Sequence, residues 1–374
     1  LVAEFFIPQY RGELWNSGFE FDDILGWKVQ PNLTKIKFGF NDDYLVSTDG
    51  FGFRNEADND GKKFSLVMQG DSNAFGFGVK NGDTACAKLQ SNFSHSCYNV
   101  GTPGYDVNHF LLQKKNIPYD FERVVLLFNL YNDFTMSAFL SPYGVRRSYY
   151  FPSNGKIALK LSTMPVYKQV YGYRFIDELS QFDDSIKKFS VGFDWGNYLP
   201  GWVRYSILLQ HMLVNHEKTL TSISSTINST DYEALDQNNF PNGADWLLLK
   251  RDKWPEPFLS YSKKFEEIFG EYVAQNPGII VVLKPLRKQV LEDNKSKAIK
   301  RLIQIGFDAN DIELNSQNRF IQKITEKHGG KVLDVTKVFT THPNNSQLYL
   351  ENDSHISAVG HKLIAEQIAQ FLQN

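Results

Sequence analysis

Along the chain, short apolar runs alternate with longer stretches in which apolar positions recur every three or four residues. The short runs are Phe64–Gly70, Ser96–Val100, Arg123–Asn129, Gly278–Leu283 and Lys331–Val335, each rich in Val, Ile or Leu. Runs of this kind predict strands buried on both faces. The helical pattern is carried by Thr84–Phe93, Asp106–Lys115, Phe258–Gln275, Asn315–His328 and Ser357–Leu372. In the last of these, Ser357 is the expected N-cap, and Leu363, Ile364, Ile368 and Phe371 recur at helical spacing. Strand, helix, strand in repetition predicts a parallel sheet with helices on both faces. Right-handed crossovers then bring the C-terminal ends of all strands to one edge, where a ligand crevice forms.

Two segments lie outside this alternation. Residues 1–60 predict an N-terminal lead-in, irregular or β, packed on the core and containing Trp15, Trp27 and Asp49-Gly-Phe-Gly-Phe-Arg54. Residues 61–134 and 258–374 form the two parts of the core. Between them, 135–257 reads as a cap-like insertion of mixed helix and loop, too long to be a plain loop. Within it Tyr205–Val214 looks helical and Thr219–Asp236 loop-like. The insertion holds four of the six Trp, Trp195, Trp202, Trp246 and Trp254. Such aromatics either pack it onto the sheet, the commoner use of large rings, or line a carbohydrate face.

Composition removes several classes of function. At 374 residues the chain can bury a large core, and 14% aromatic content with 30 Phe argues for dense packing. A net charge of −2 without basic blocks gives no footprint for nucleic acid. Two cysteines, Cys86 and Cys97, exclude a zinc ribbon or a disulfide-dense scaffold, and whether they are bridged is left open. No run of about 18 apolar residues predicts a membrane-spanning helix. The chain begins Leu1-Val-Ala-Glu-Phe-Phe-Ile rather than with Met, which reads either as the loss of a signal peptide or anchor, or as trimming.

The chemistry concentrates at the ends of the predicted strands. After the first comes Gly70-Asp-Ser-Asn-Ala-Phe-Gly-Phe-Gly-Val79. Its glycines fail the spacing of a P-loop and of a dinucleotide fingerprint, and Ala74 stands where a Gly-x-Ser-x-Gly elbow needs glycine. What is left is a serine presented at the crevice edge. Asn99-Val-Gly-Thr-Pro-Gly104 follows the second strand, and its glycines let the backbone turn and aim an N–H at a ligand. Leu130-Tyr-Asn-Asp133 follows the third strand, and Glu351-Asn-Asp-Ser-His-Ile-Ser-Ala-Val-Gly-His361 leads into the last helix.

These four blocks resemble the SGNH hydrolases, or GDSL esterases, whose defining order is Ser, Gly, Asn, His. The likeness covers about half the chain and is nearest to a bacterial, membrane-anchored branch, whose lead-in features look like Leu25-Gly-Trp27 and Gly52-Phe-Arg54. The resemblance implies a three-layer α/β/α sandwich around a flavodoxin-like five-stranded parallel sheet, here with a large insertion. It implies Ser72 as nucleophile, His355 as base and Asp353 as the acid orienting it. The oxyanion hole would comprise the N–H groups of Ser72 and Gly104 and the amide of Asn132. Phe75, Tyr105 and Tyr131 are the substrate-contacting candidates. Two positions depart from the family pattern. Leu130 stands where many members have glycine, and the usual acid position three before the histidine is Asn352. Asn352 and Asp353 therefore compete to orient His355, and we take Asp353.

Asp71 reads as structural, bonding the turn, and Asp133 as a turn or helix-start carboxylate. His361 is expected to pack or cap, and His328 and His342 to be solvated. The spacing of His355 and His361 is poor for a metal pair, so neither metal nor cofactor is expected. The predicted function is a serine esterase acting on small acyl, above all acetyl, esters of a carbohydrate. An O-acetyltransferase using the same triad and a non-catalytic binding or assembly module are the alternatives. The expected partners are an acylated small molecule or polysaccharide and, through an anchor ahead of this chain, a membrane. The expected location is periplasmic or secreted.

Overall fold

The computed structural model describes residues 18–22, 24–37, 45–55, 63–135, 137, 149–153, 156–160, 245–351 and 353–373. Tyr205–Val214, Thr219–Asp236, Trp15, Trp195, Trp202 and Asn352 lie outside them. Two antiparallel pairs come first, β1 (Phe19–Asp22) with β2 (Gly26–Val29) and β3 (Ile36–Lys37) with β4 (Leu45–Val46). Then come β5 (Phe64–Gly70), β6 (Cys97–Asn99) and β7 (Phe121–Asn129). An antiparallel pair, β8 (Tyr149–Ser153) and β9 (Lys156–Lys160), precedes β10 (Ile280–Lys284) and β11 (Lys331–Asp334).

The central sheet has the order β11-β10-β7-β5-β6 with every pairing parallel. The chain steps outward from β5 to β6, then crosses back to β7. Side by side, β5 and β7 form the point of reversal where connections leave to opposite faces and a crevice opens.

Alternation along the strands divides the core. Val124, Leu126 and Phe128 of β7 with Val281 and Leu283 of β10 point into one apolar cluster. Val125 and Leu127 with Ile280 and Val282 point into the other. A strand covered on both faces reads as a continuous apolar run while still alternating in direction. The helices are α1 (Ser72–Phe75), α2 (Ala85–Phe93), α3 (Val107–Gln113), α4 (Asn132–Thr135) and α5 (Glu256–Ala274). They continue with α6 (Arg287–Val290), α7 (Glu292–Gln304), α8 (Ser316–Lys327), α9 (Thr336–Thr341) and α10 (Ala358–Gln373). Phe110 of α3, Phe265 of α5 and Ile321 of α8 fill the first cluster, and Leu89 of α2 and Ile364 and Ile368 of α10 the second. The result is the α/β/α sandwich around a five-stranded parallel sheet that the sequence predicts.

Some elements differ from expectation. Helix α7 was not predicted, because its sequence EDNKSKAIKRLIQ buries only Ala298 and Leu302 and carries no broad apolar stripe. Trp246 and Trp254 are buried in the first cluster, Trp246 stacking on Phe258 at 4.3 Å, so these two serve packing and form no carbohydrate face. Cys86 of α2 and Cys97 of β6 are bridged, with Cα atoms 5.5 Å apart. On the outer side of edge strand β6, the Asn55 amide accepts from Asn99 N at 2.8 Å and donates to Asn99 O at 3.0 Å.

Candidate active site

Ser72 sits directly past the end of β5, as the first residue of α1. Asp71 caps this helix, accepting from Asn73 N at 2.8 Å. Its other oxygen accepts from Asn129 Nδ2 at 2.7 Å and from Asn132 Nδ2 at 2.8 Å. Asp71 thereby ties the Ser72 turn to the end of β7 across the crevice, the structural part expected of it. The amide of Asn132 is oriented by this bond and keeps a second N–H. Asp133 accepts from Asn129 N at 2.7 Å. It is fully buried, and burial, with the nearby Asp71 charge, pushes its carboxyl well above the usual carboxylate range.

The lead-in holds the far end of α1. Arg54 is buried and donates to the carbonyls of Phe75 (3.1 Å), Gly76 and Val79, and to Asn81 Oδ1 at 2.8 Å. A guanidinium on the last carbonyls of a helix satisfies acceptors that the helix itself cannot.

The block after β6 packs tightly on the same turn. A Cβ on Gly101 would lie 2.4 Å from Phe75 N, so only glycine allows this approach. Gly104 has φ 80°, and Tyr105 N donates to Thr102 O at 3.2 Å, closing a turn over Thr102–Tyr105. Among the described residues the N–H groups of Ser72 and Gly104 have no hydrogen-bond partner.

His355 lies in the loop closed by the bridge Tyr349–Ile356, just ahead of α10. Its Nε2 is 2.8 Å from Ser72 Oγ and its Nδ1 2.7 Å from Asp353 Oδ1. Asp353 Oδ1 also accepts from His355 N at 3.0 Å. These bonds to His355 hold the Asp353 carboxyl down at about 2 against a smaller opposing effect of burial. Ile356 N donates to Asn73 Oδ1 at 3.3 Å, tying the histidine loop to α1.

Two cations grip this loop by its carbonyls. Lys284, at the end of β10, donates to Ser354 O at 2.7 Å, and Arg287 of α6 donates to Asp353 O at 2.9 Å. Lys284 is buried, which lowers its ammonium to about 8 despite the opposing charges of Asp71, Asp353 and Asp133. Phe77 packs against the imidazole, its ring centre 4.7 Å away.

Ser72, His355 and Asp353 thus form one hydrogen-bonded line, with Asn132 beside it. Two of the substrate-contacting candidates are corrected. Phe75 is fully buried in a cluster with Val29 and Val46, and Tyr105 is buried with its hydroxyl on Trp27 O at 2.7 Å, so neither ring is exposed to a substrate at Ser72. Tyr131 is half-buried against the first cluster. His361 caps as expected, its Nδ1 accepting from Ala85 N at 3.2 Å, and burial holds it neutral by lowering it to about 3. Sequence reasoning missed Phe77, Lys284 and Arg287. Lys284 carried one readable signal, a lone charge ending a wholly apolar strand at the crevice edge. Among the described residues no three His, Cys, Asp or Glu converge in a metal-holding group.

No family model and no curated protein matches the sequence. Solved structures do overlap it. A lipase/acylhydrolase from Enterococcus faecalis is 11% identical, with 83% of this chain and 95% of that one covered and a TM-score of 0.35. A protein from Lactobacillus plantarum is 12% identical, with 83% and 98% covered and a TM-score of 0.35. Overlaps this loose decide nothing about chemistry.

Proposed function

We propose that this chain is a serine esterase of the SGNH type, acting on small acyl esters. The observation that carries the reading is the line Ser72 Oγ–His355 Nε2, 2.8 Å, and His355 Nδ1–Asp353 Oδ1, 2.7 Å, at the C-terminal edge of a parallel sheet. His355 Nε2 takes the hydroxyl proton as Ser72 Oγ attacks the ester carbonyl. Asp353 holds the other ring nitrogen protonated and stabilises the imidazolium. The carbonyl oxygen becomes an anion and is met by the N–H of Ser72, the N–H of Gly104 and the amide of Asn132. Collapse expels the alcohol, which receives its proton from His355, and leaves an acyl-Ser72 ester. Water, deprotonated by His355, then releases the acid and restores the serine.

We further propose that the acyl group is acetyl and its carrier a carbohydrate outside the cytoplasm. The Cys86–Cys97 bridge supports an oxidising compartment. The test is hydrolysis of p-nitrophenyl acetate, butyrate and octanoate, with phosphonate labelling of the serine. Acetate should turn over at least about tenfold faster than octanoate, and Ser72→Ala should lose about 10⁴-fold or more in kcat. Unchanged turnover in Ser72→Ala would sink the mechanism. With an acetylated oligosaccharide donor, free acetate supports hydrolysis, whereas acetyl found on a second sugar makes the protein a transferase.

A further inference from the structure

The Thr102–Tyr105 turn holds Pro103 at its second position and Gly104, φ 80°, at its third, the pattern of a type II turn. Types I and II differ in the orientation of the central peptide, here the unit joining the Pro103 carbonyl to the Gly104 N–H. The residues themselves do not choose between them. Proline is accepted at the second position of both, and glycine takes either sign of φ at the third. A peptide flip would turn the Gly104 N–H to the opposite side of the loop.

What fixes the plane comes from the lead-in. Trp27 Nε1 donates to Pro103 O at 2.9 Å, across 76 residues of sequence. In a trans peptide C=O and N–H point in opposite directions, so holding the carbonyl against the indole aims the Gly104 N–H away from it. The indole is itself immobilised. It is buried on β2, its ring lies 4.7 Å from that of His109 and 5.7 Å from that of Tyr105, and its carbonyl accepts from Tyr105 OH. An N–H whose carbonyl already accepts a hydrogen bond is also the better donor.

We infer that Trp27 is a positioning residue for catalysis, setting the Pro103–Gly104 peptide so that the Gly104 N–H serves as an oxyanion donor. The inference rests on the esterase reading and on the part given there to Gly104.

Two replacements of Trp27 test it, Trp27→Phe and the benzothienyl isostere, in which sulfur stands in place of the indole N–H at nearly unchanged shape. Deleting a whole oxyanion donor costs roughly 10²–10³ in kcat, so freeing one to flip should cost about 10- to 100-fold. The change should fall on kcat with KM within about threefold, and affinity for methylboronic acid, which forms a tetrahedral adduct on serine, should fall with it. Val29→Ala in the same hairpin is the control, and should lower the melting temperature at unchanged kcat. Full kcat in the isostere would overturn the inference, as would an equal loss in Val29→Ala, which would mean general loosening. Failure of phosphonate to label Ser72 in the wild type would instead remove the esterase reading.

Discussion

Ser72 and His355 meet in one hydrogen bond from settings of opposite kind. Ser72 is 6% exposed, set between a core strand and a helix cap, with Asp71, Asn73 and Arg54 all bonded around its turn. The side chains of His355 and Asp353 are 24% and 39% exposed and ride on a loop. That loop is held by two cations on its carbonyls, a two-residue bridge and one amide bond to Asn73. One half of the site is buried and bonded on several sides, and the other is partly exposed and hangs on a few bonds to its loop. Damage to the first half should appear mainly as lost stability, and damage to the second mainly as lost turnover.

The largest effect expected from the loop side is that of Asp353→Asn. It keeps the shape but no longer stabilises the imidazolium, and kcat should fall by roughly 10³–10⁴. The depressed carboxyl, at about 2, also adds stability above its unfolded value that is lost as pH falls through 2. Acid denaturation followed by fluorescence should therefore lose part of its pH dependence between about 4 and 2 in the variant. Equal kcat in wild type and Asp353→Asn would remove Asp353 from the mechanism.

On the packed side, Arg54→Met leaves the carbonyls of Phe75, Gly76 and Val79 without their buried donor. Urea unfolding should show a loss of about 3 kcal/mol. If stability held and only turnover fell, the contrast between the halves would be broken. Next in size, the double replacement of Cys86 and Cys97 by serine opens a bridge spanning 11 residues. It should cost about 2–3 kcal/mol by thermal unfolding, with kcat kept at temperatures where the chain stays folded.

Lys284→Met should give the smallest effect and the one of mixed sign. The folded state lowers the ammonium to about 8, against about 10.4 unfolded, so burying the charge costs roughly 3 kcal/mol below pH 8. Between these values the unfolded chain keeps a proton that the folded chain has released, so this group's contribution to stability rises with pH. The variant escapes the cost but loses the bond to Ser354 O. It should be at least as stable as wild type at pH 7, with its advantage shrinking toward pH 10, while kcat falls about tenfold as the loop loosens. Urea titrations at the two pH values, beside kcat, read both parts.

The same contrast governs what was legible in the sequence. The five strands of the sheet were readable because their apolar runs are continuous, although the edge strand β11 proves half-buried to exposed rather than buried, and the strand ends then placed Ser72, Gly104, Asn132 and His355 near one another. Asp353 was chosen because its Asp-x-His spacing occurs in the branch that the chain resembles, and the structure brings it to Nδ1, while Asn352 lies outside the described residues. The support shell was not legible. Trp27 reaching Pro103, Arg54 reaching Gly76 and Lys284 reaching Ser354 are side-chain bonds to distant backbone, which leave no periodic trace. Phe75 and Tyr105 misled for a related reason. Closeness along the chain to a site residue says nothing about which side a ring faces, and here the lead-in covers both.

The Asn55 amide, described above as sitting on the outer side of β6, has a consequence for the chain in company. An uncovered strand margin is a template on which a second molecule can add its own strand, the first step toward fibrous aggregates. At Asn99 both the N–H and the C=O that such a molecule would need are already taken up by one side chain acting as a false neighbour. β6 is also only three residues long. This margin of the sheet is closed to another copy by two side-chain amides, Asn55 at Asn99 and Gln90, which donates to Cys97 O.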